Sequence, residues 1–272
     1  MNIILRILNS TKYRFKLNLS NFIIKLNKKN SDLINFNYIV SFFMPNINVT
    51  YIDTFNFATR MNASCVEEDR FLKSIKYAQS ITKQKRPLWT SYNLIWAALN
   101  GMKLEGDFVE LGVEKGFHSL SIIHYLKDAN FNNRKFYLMD SWEGVDIDSL
   151  ETAEIKQDKE WNKIFTGFYN EVLNYFKSYS FVIMIKGFIP ATLQNLPTNK
   201  IAFLHIDLNS VNPEIDALEF LWDKITKGAI VILDDYNQTG REIQKDGIDE
   251  LGKKLNFNVL CLPTGQGLIL KN

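Results

Sequence analysis

Two apolar runs that each end in aspartate constrain this chain more than any other feature. One is Ile201-Ala-Phe-Leu-His-Ile-Asp207 and the other is Gly228-Ala-Ile-Val-Ile-Leu-Asp234-Asp235. Continuous β-branched and aromatic residues leave no face to give to water, so each run reads as a strand buried on both sides of a parallel sheet. An acid that ends such a strand stands at the carboxyl edge, where ligands of open α/β folds bind. Three acids gathered there repel one another unless a cation joins them, and a hard divalent cation with oxygen ligands suits them. The competing reading is that these aspartates only cap turns or helices. With three histidines and two cysteines in the chain, a zinc site of the usual kind is not expected.

Strand and helix signals alternate around those runs. Phe108–Val113, Lys135–Asp140 and Phe181–Lys186 read as three further strands, and Asn258–Leu262 with Gly267–Lys271 as two closing ones. Helices are expected over Tyr92–Leu99 (capped by Thr90 or Ser91), Ser119–Leu126, Glu214–Ile225 and Glu242–Leu255, with two more between Ser141 and Tyr179. The link Pro263-Thr-Gly-Gln-Gly267 suits a terminal antiparallel hairpin. The pattern predicts a doubly wound, Rossmann-like α/β sheet of seven strands, the last reversed, with helices on both faces. It occupies residues 86–272, after the basic Lys83-Gln-Lys-Arg-Pro87 junction, which is read as solvated. Residues 1–85 form a mainly helical N-terminal extension, and Glu67–Leu72 leads into an amphipathic run.

The composition fits one such domain. Hydrophobic residues are 46% and charged residues 23% of the 272, as in ordinary globular chains. A net charge of +2 argues against a nucleic-acid binder that uses its whole surface. Cys65 and Cys261 are too few for a disulfide framework, and Cys261 lies in an apolar run that looks like core; a reducing cytoplasm follows. Met1–Asn30 carries seven basic residues and no acidic one, with apolar residues between them. Within it Met1–Leu8 is apolar but broken by Arg6, and too short to span a bilayer. Such a segment either lies on an anionic membrane surface or packs on its own domain or a second subunit.

The first glycine turn is Glu110-Leu-Gly112-Val-Glu-Lys-Gly116. A dinucleotide fingerprint requires Gly-x-Gly-x-x-Gly, so that pyrophosphate can approach the helix N-terminus. Glu114 stands where a glycine would be, repels pyrophosphate and can accept a hydrogen bond from an ammonium group. That points to a cofactor with an amino-acid end. Asp140 closes its strand where an acid accepts from two ribose hydroxyls, and Trp142 offers an apolar wall. Turn capping within Asp140-Ser-Trp-Glu-Gly144 is the plainer alternative.

Gly106–Gly116, Asp140–Gly144, Leu204-His-Ile-Asp207 and Val231-Ile-Leu-Asp-Asp-Tyr236, in this order, resemble the macrocin O-methyltransferase family. The resemblance covers Arg86 to the C-terminus. It implies S-adenosylmethionine as cofactor, magnesium, and methylation of a sugar hydroxyl. By position it gives Glu110, Gly112 and Gly116 to the methionine end, Asp140 to the ribose, Trp89-Thr90 to a covering segment, Lys186-Gly187-Phe188 to the adenine side, and Asp207, Asp234 and Asp235 to magnesium. One departure is that family members often follow the first metal aspartate with Gly-Asp, where this chain has Leu208-Asn209. Another is a histidine that some relatives place near the acceptor, since none lies between His124 and His205 here.

Methyl transfer to oxygen is an in-line displacement that needs alignment and removal of the hydroxyl proton. Asp207 is the expected catalytic base; His118 is a weaker one, and His205 reads as a core residue. Phe165–Asn170 is either a lid that stacks on a sugar ring or plain helix packing. The expected acceptor is a sugar or polyol, nucleotide-linked or part of a surface glycan precursor. A catechol-like phenol also offers vicinal oxygens to magnesium. A nicotinamide-dinucleotide dehydrogenase, disfavoured by Glu114, and a non-catalytic subunit docking through its basic N-terminus complete the alternatives.

Overall fold

The computed structural model describes residues 51–52, 58–59, 61–127, 131, 134–146, 150 and 166–272. The basic N-terminal segment, Phe165, and most of the stretch expected to hold two helices between residues 141 and 179 lie outside these. The chain divides into two compact units, Met1–Ser64 and Cys65–Asn272. In the first, β1 (Tyr51–Ile52) pairs antiparallel with β2 (Ala58–Thr59). A strand pair therefore stands within the stretch expected to be largely helical. Tyr, Ile and Thr favour a pleated backbone.

The second unit begins at Cys65, ahead of the boundary expected at residue 86, so helix α1 (Asp69–Thr82) belongs with the sheet. It continues with α2 (Leu88–Gly101), β3 (Asp107–Leu111), α3 (Phe117–Tyr125), β4 (Phe136–Asp140), α4 (Tyr169–Phe176) and β5 (Val182–Lys186). It ends with β6 (Ile201–Ile206), α5 (Val211–Leu221), β7 (Ile225–Leu233), α6 (Glu242–Leu255), β8 (Leu260–Cys261) and β9 (Gly267–Leu270). The strands lie in the order β5-β4-β3-β6-β7-β9-β8. β3 to β7 are parallel, and β9 runs antiparallel to both of its neighbours. The strand order reverses at the β3/β6 pair, which opens the crevice at the carboxyl edge where such sheets take ligands.

Burial explains the arrangement. All six residues of β6 are buried, and so is β7 from Ala229 to Leu233. On one face α2 packs on β6 and β7, while α1 and α2 both contact α3. On the other, Ala217, Leu218 and Leu221 of α5 join Ile248 and Leu251 of α6 and the inward residues of the central strands in one core. Each buried aliphatic or aromatic side chain in such a core contributes roughly 1.5–3 kcal/mol. Among the described residues, no helix is long and apolar enough to cross a membrane.

Element ends differ from the sequence pattern for local reasons. α5 starts at Val211 rather than Glu214, because Pro213 falls in the first turn, where a missing N–H costs nothing. Its last turn becomes a 3₁₀ segment, Trp222–Lys224, and β7 begins at Ile225. α2 starts directly after Pro87, so Thr90 and Ser91 lie inside it and neither caps it; Ser91 Oγ donates back to the Pro87 carbonyl at 3.1 Å. Cys261 is exposed on the edge strand β8 and is not part of the core.

Candidate active site

The turn after β3 is built by Gly112. The glycine sits at φ +83°, and a Cβ there would overlap the Asp207 carbonyl oxygen and stand 2.6 Å from its carbon. Only glycine lets the turn pass this close to the end of β6. Asp207 N–H in turn donates to the Leu111 carbonyl at 2.8 Å. The turn assigned to the methionine end and the first acid assigned to the metal are therefore locked together through backbone. Gly116, at φ +77°, opens α3 against the Phe176 ring.

Asp140 secures the same turn. Its Oδ2 accepts from Val113 N–H at 2.7 Å and Glu114 N–H at 2.8 Å, and its Oδ1 accepts from Trp142 N–H at 2.6 Å. A carboxylate offers about four acceptor positions, so about one stays open to a ribose hydroxyl. Burial raises its pKa, against the pull of these backbone donors. Trp142 is buried at 2% exposure, donates Nε1–H to the Glu114 carbonyl at 2.8 Å and packs on Tyr169. The expected apolar wall is thus covered, and the ring fastens the loop after β4 to the glycine turn. Gly187 donates to the Asp140 carbonyl at 2.9 Å, with φ +143°, and a Cβ added there would clash with the Thr192 side chain. The Phe188 carbonyl accepts from Thr192 and begins the next turn.

Asp207, Asp234 and Asp235 converge as expected. Each offers a carboxylate oxygen, and these atoms lie within 4.8 Å of one another. Burial raises the Asp207 carboxyl well above its usual range, and the charges of Asp234 and Asp235 raise it further. Burial pushes Asp234 up, but His205, with smaller shares from His118 and Gln266, holds its pKa below the usual carboxylate range. Gln266 Nε2–H donates to Asp234 Oδ1 at 2.8 Å. Three hard oxygen donors gathered this closely, under mutual repulsion, suit a hard divalent cation. Asn209, at φ +57°, donates from Nδ2 to Asp207 Oδ1 at 3.2 Å.

Glu110 turns inward. At 2% exposure, its Oε1 lies 3.0 Å from His205 Nδ1, and its Oε2 accepts from Ser119 Oγ. Both oxygens have partners inside the protein, so this carboxylate is held toward the core; a buried acid keeps a partner at hand. His205 is a fully buried core residue, as its place on β6 implied, yet it also carries charge. Burial alone would lower its pKa, but the carboxylates of Asp234, with Oδ1 3.7 Å from Nε2, and Glu110 raise it to about 10. His118 is the opposite case: burial and then His205 lower it to about 3, and its Nδ1 is buried without a partner. Thr90 is buried, and its carbonyl accepts from Gln266 Nε2 at 3.5 Å.

Sequence reading missed several members. Gln266 lies in a stretch read only as a hairpin turn, and Ser119 looked like an ordinary helix residue. Arg86, read as part of a solvated cluster, donates from Nη2 to Glu114 Oε2. Glu214 was read as a helix start. It is buried, with Oε1 accepting from Leu208 N–H at 3.3 Å and Gln244 Nε2–H at 3.1 Å, and burial followed by Asp235 and Asp207 raises its pKa well above normal.

The family model described as Macrocin-O-methyltransferase (TylF) matches residues 76–246. The 8-demethyl-8-(2,3-dimethoxy-alpha-L-rhamnosyl)-tetracenomycin-C 4'-O-methyltransferase of Streptomyces olivaceus is 30% identical over 138 residues, 48% of this chain and 53% of that protein. The demethyldecarbamoylnovobiocin O-methyltransferase of Streptomyces niveus is 27% identical over 164 residues, 58% of this chain and 62% of that protein. The chain thus matches a little over half the length of these relatives. Among solved structures, the O-methyltransferase NovP superposes with a TM-score of 0.65 at 20% identity, covering 74% of this chain and 98% of NovP. A calicheamicin methyltransferase superposes at 0.55 with 16% identity, covering 79% and 95%. The sheet is therefore the Rossmann-like sheet of O-methyltransferases.

Proposed function

The chain belongs to the macrocin O-methyltransferase family, and from that premise we propose that it transfers the methyl group of S-adenosylmethionine to a hydroxyl of a sugar or polyol. One observation carries the reading: three carboxylate oxygens within 4.8 Å of one another, joined by backbone to a glycine turn at the carboxyl edge of the sheet. Asp207, Asp234 and Asp235 would hold magnesium, which would supply Lewis-acid charge beside the acceptor oxygen. Gly112, Gly116, Asp140, Gly187, Phe188 and the segment at Thr90 surround the donor. The rhamnosyl compound in the name of the Streptomyces olivaceus relative favours a carbohydrate acceptor, nucleotide-linked or a glycan precursor, handled in the cytoplasm.

The chain's own residues divide the work. Methyl transfer needs the acceptor oxygen, the methyl carbon and the sulfur in one line. Gly112 fixes the turn against Asp207, so one backbone contact sets the spacing between donor pocket and acids. Asp207 takes the acceptor proton as the new carbon–oxygen bond forms. Asn209 Nδ2–H anchors its Oδ1, leaving Oδ2 for the proton. His205 and Gln266 keep Asp234 ionised.

Incubating the chain with magnesium, donor labelled at the methyl group and parallel panels of nucleotide sugars and catechols tests this. Label in a sugar hydroxyl supports the reading. Label in catechols alone moves the acceptor to phenols, and tight nicotinamide-dinucleotide binding without S-adenosylhomocysteine binding removes methyl transfer altogether.

A further inference from the structure

Arg86 lies in the non-helical link between α1 and α2. Its bond to Glu114 ties that link to the turn after β3, yet uses little of its capacity. A guanidinium carries five N–H donors, and Arg86 Nε is buried with no acceptor.

Glu114 is equally constrained. Its backbone is left-handed, φ +48°, and clamped on both sides, with N–H on Asp140 and carbonyl on Trp142 Nε1. A non-glycine residue kept at a strained angle, where a pyrophosphate-binding turn would use glycine, points to a need for its carboxylate. A cation and an anion side by side, with donors to spare, match a ligand that is itself a zwitterion.

We infer that Arg86 and Glu114 read the amino-acid end of the methyl donor, Arg86 taking the α-carboxylate through its planar fork and Glu114 the α-ammonium. This deepens the methyltransferase reading and rests on it. Guanidinium and carboxylate match as two parallel hydrogen bonds, and each member of the resting pair exchanges its partner for the ligand's opposite charge. The pair carries no net charge, as does the amino-acid end, whereas a pyrophosphate would be repelled by Glu114.

Calorimetric titration of the full chain with three nucleosides separates the outcomes. These are S-adenosylhomocysteine, its decarboxylated analogue, and 5'-methylthioadenosine, which lacks the amino-acid end. Arg86→Met is expected to weaken S-adenosylhomocysteine about ten- to hundredfold, the range of a charge-assisted pair, and to leave the other two unchanged. Glu114→Gln, nearly the same shape, is expected to weaken the first two and spare 5'-methylthioadenosine. Unchanged S-adenosylhomocysteine affinity in both variants, or an equal loss for all three nucleosides, overturns the inference while the methyltransferase reading stands. Wild-type protein that binds none of the three overturns both.

Discussion

Replacing Gly112 with alanine probes the joint on which the site depends. Two costs add. A residue with a Cβ at φ +83° loses about 1–2 kcal/mol to left-handed strain. The Cβ would also overlap the Asp207 carbonyl and stand 2.6 Å from its carbon, where ordinary contact begins at 3.4 Å. The obstacle is backbone, so β6 or the turn must move, and overpacking of this kind costs about 1–3 kcal/mol more. The expected total of about 2–5 kcal/mol is a large share of a typical 5–15 kcal/mol stability. Gly228→Ala is the control. That glycine has φ +88°, but a Cβ there meets Leu104 only at 3.6 Å, an ordinary contact. It should lose the conformational cost alone. Urea unfolding of both variants measures the difference, and methyl transfer should fall about a hundredfold in Gly112→Ala, as expected for an ångström of misplacement. If Gly112→Ala matches Gly228→Ala in stability and keeps wild-type turnover, the turn and Asp207 are not locked as described.

Two other outcomes follow from the same geometry. Asp140→Asn removes one of the two acceptor oxygens that together face three backbone N–H groups, and each donor left unpaired costs about 1–3 kcal/mol; calorimetric melting should drop, and an unchanged midpoint means the turn does not need the carboxylate. Glu214 has a folded pKa well above its ordinary 4.5, so the folded state holds its proton longer than the unfolded state. Wild-type stability should therefore fall relative to Glu214→Gln as pH rises above about 4.5, by up to roughly 1.4 kcal/mol per pH unit until the folded pKa is passed. Parallel stability curves in urea, with chelator present, refute this.

How much of this the sequence could reveal depends on the kind of signal. β6 and β7 were legible because continuous apolar runs have few other structures open to them, and their terminal aspartates fall at the carboxyl edge by the geometry of parallel strands. α6 matches its expected span, since an amphipathic period runs unbroken from Glu242 to Leu255. Side-chain direction was not legible. Glu110 stands at the expected position, yet its carboxylate turns to His205 and Ser119, partners from β6 and α3 that only the fold brings together. Gln266 reaches Asp234 because β9 pairs antiparallel with β7, a contact that no local pattern encodes. Arg86 looked solvated because neighbouring lysines dominate its segment, and only the left-handed turn at Glu114 shows where it points.

The most direct measurement is an anomalous diffraction map from crystals of the full chain grown with manganese and S-adenosylhomocysteine. The account predicts one peak about 2 Å from an oxygen of each of Asp207, Asp234 and Asp235, with the nucleoside in the pocket at Gly112. A map that shows the nucleoside in that pocket but no metal at the three acids, from protein that still turns over in chelator, would contradict it.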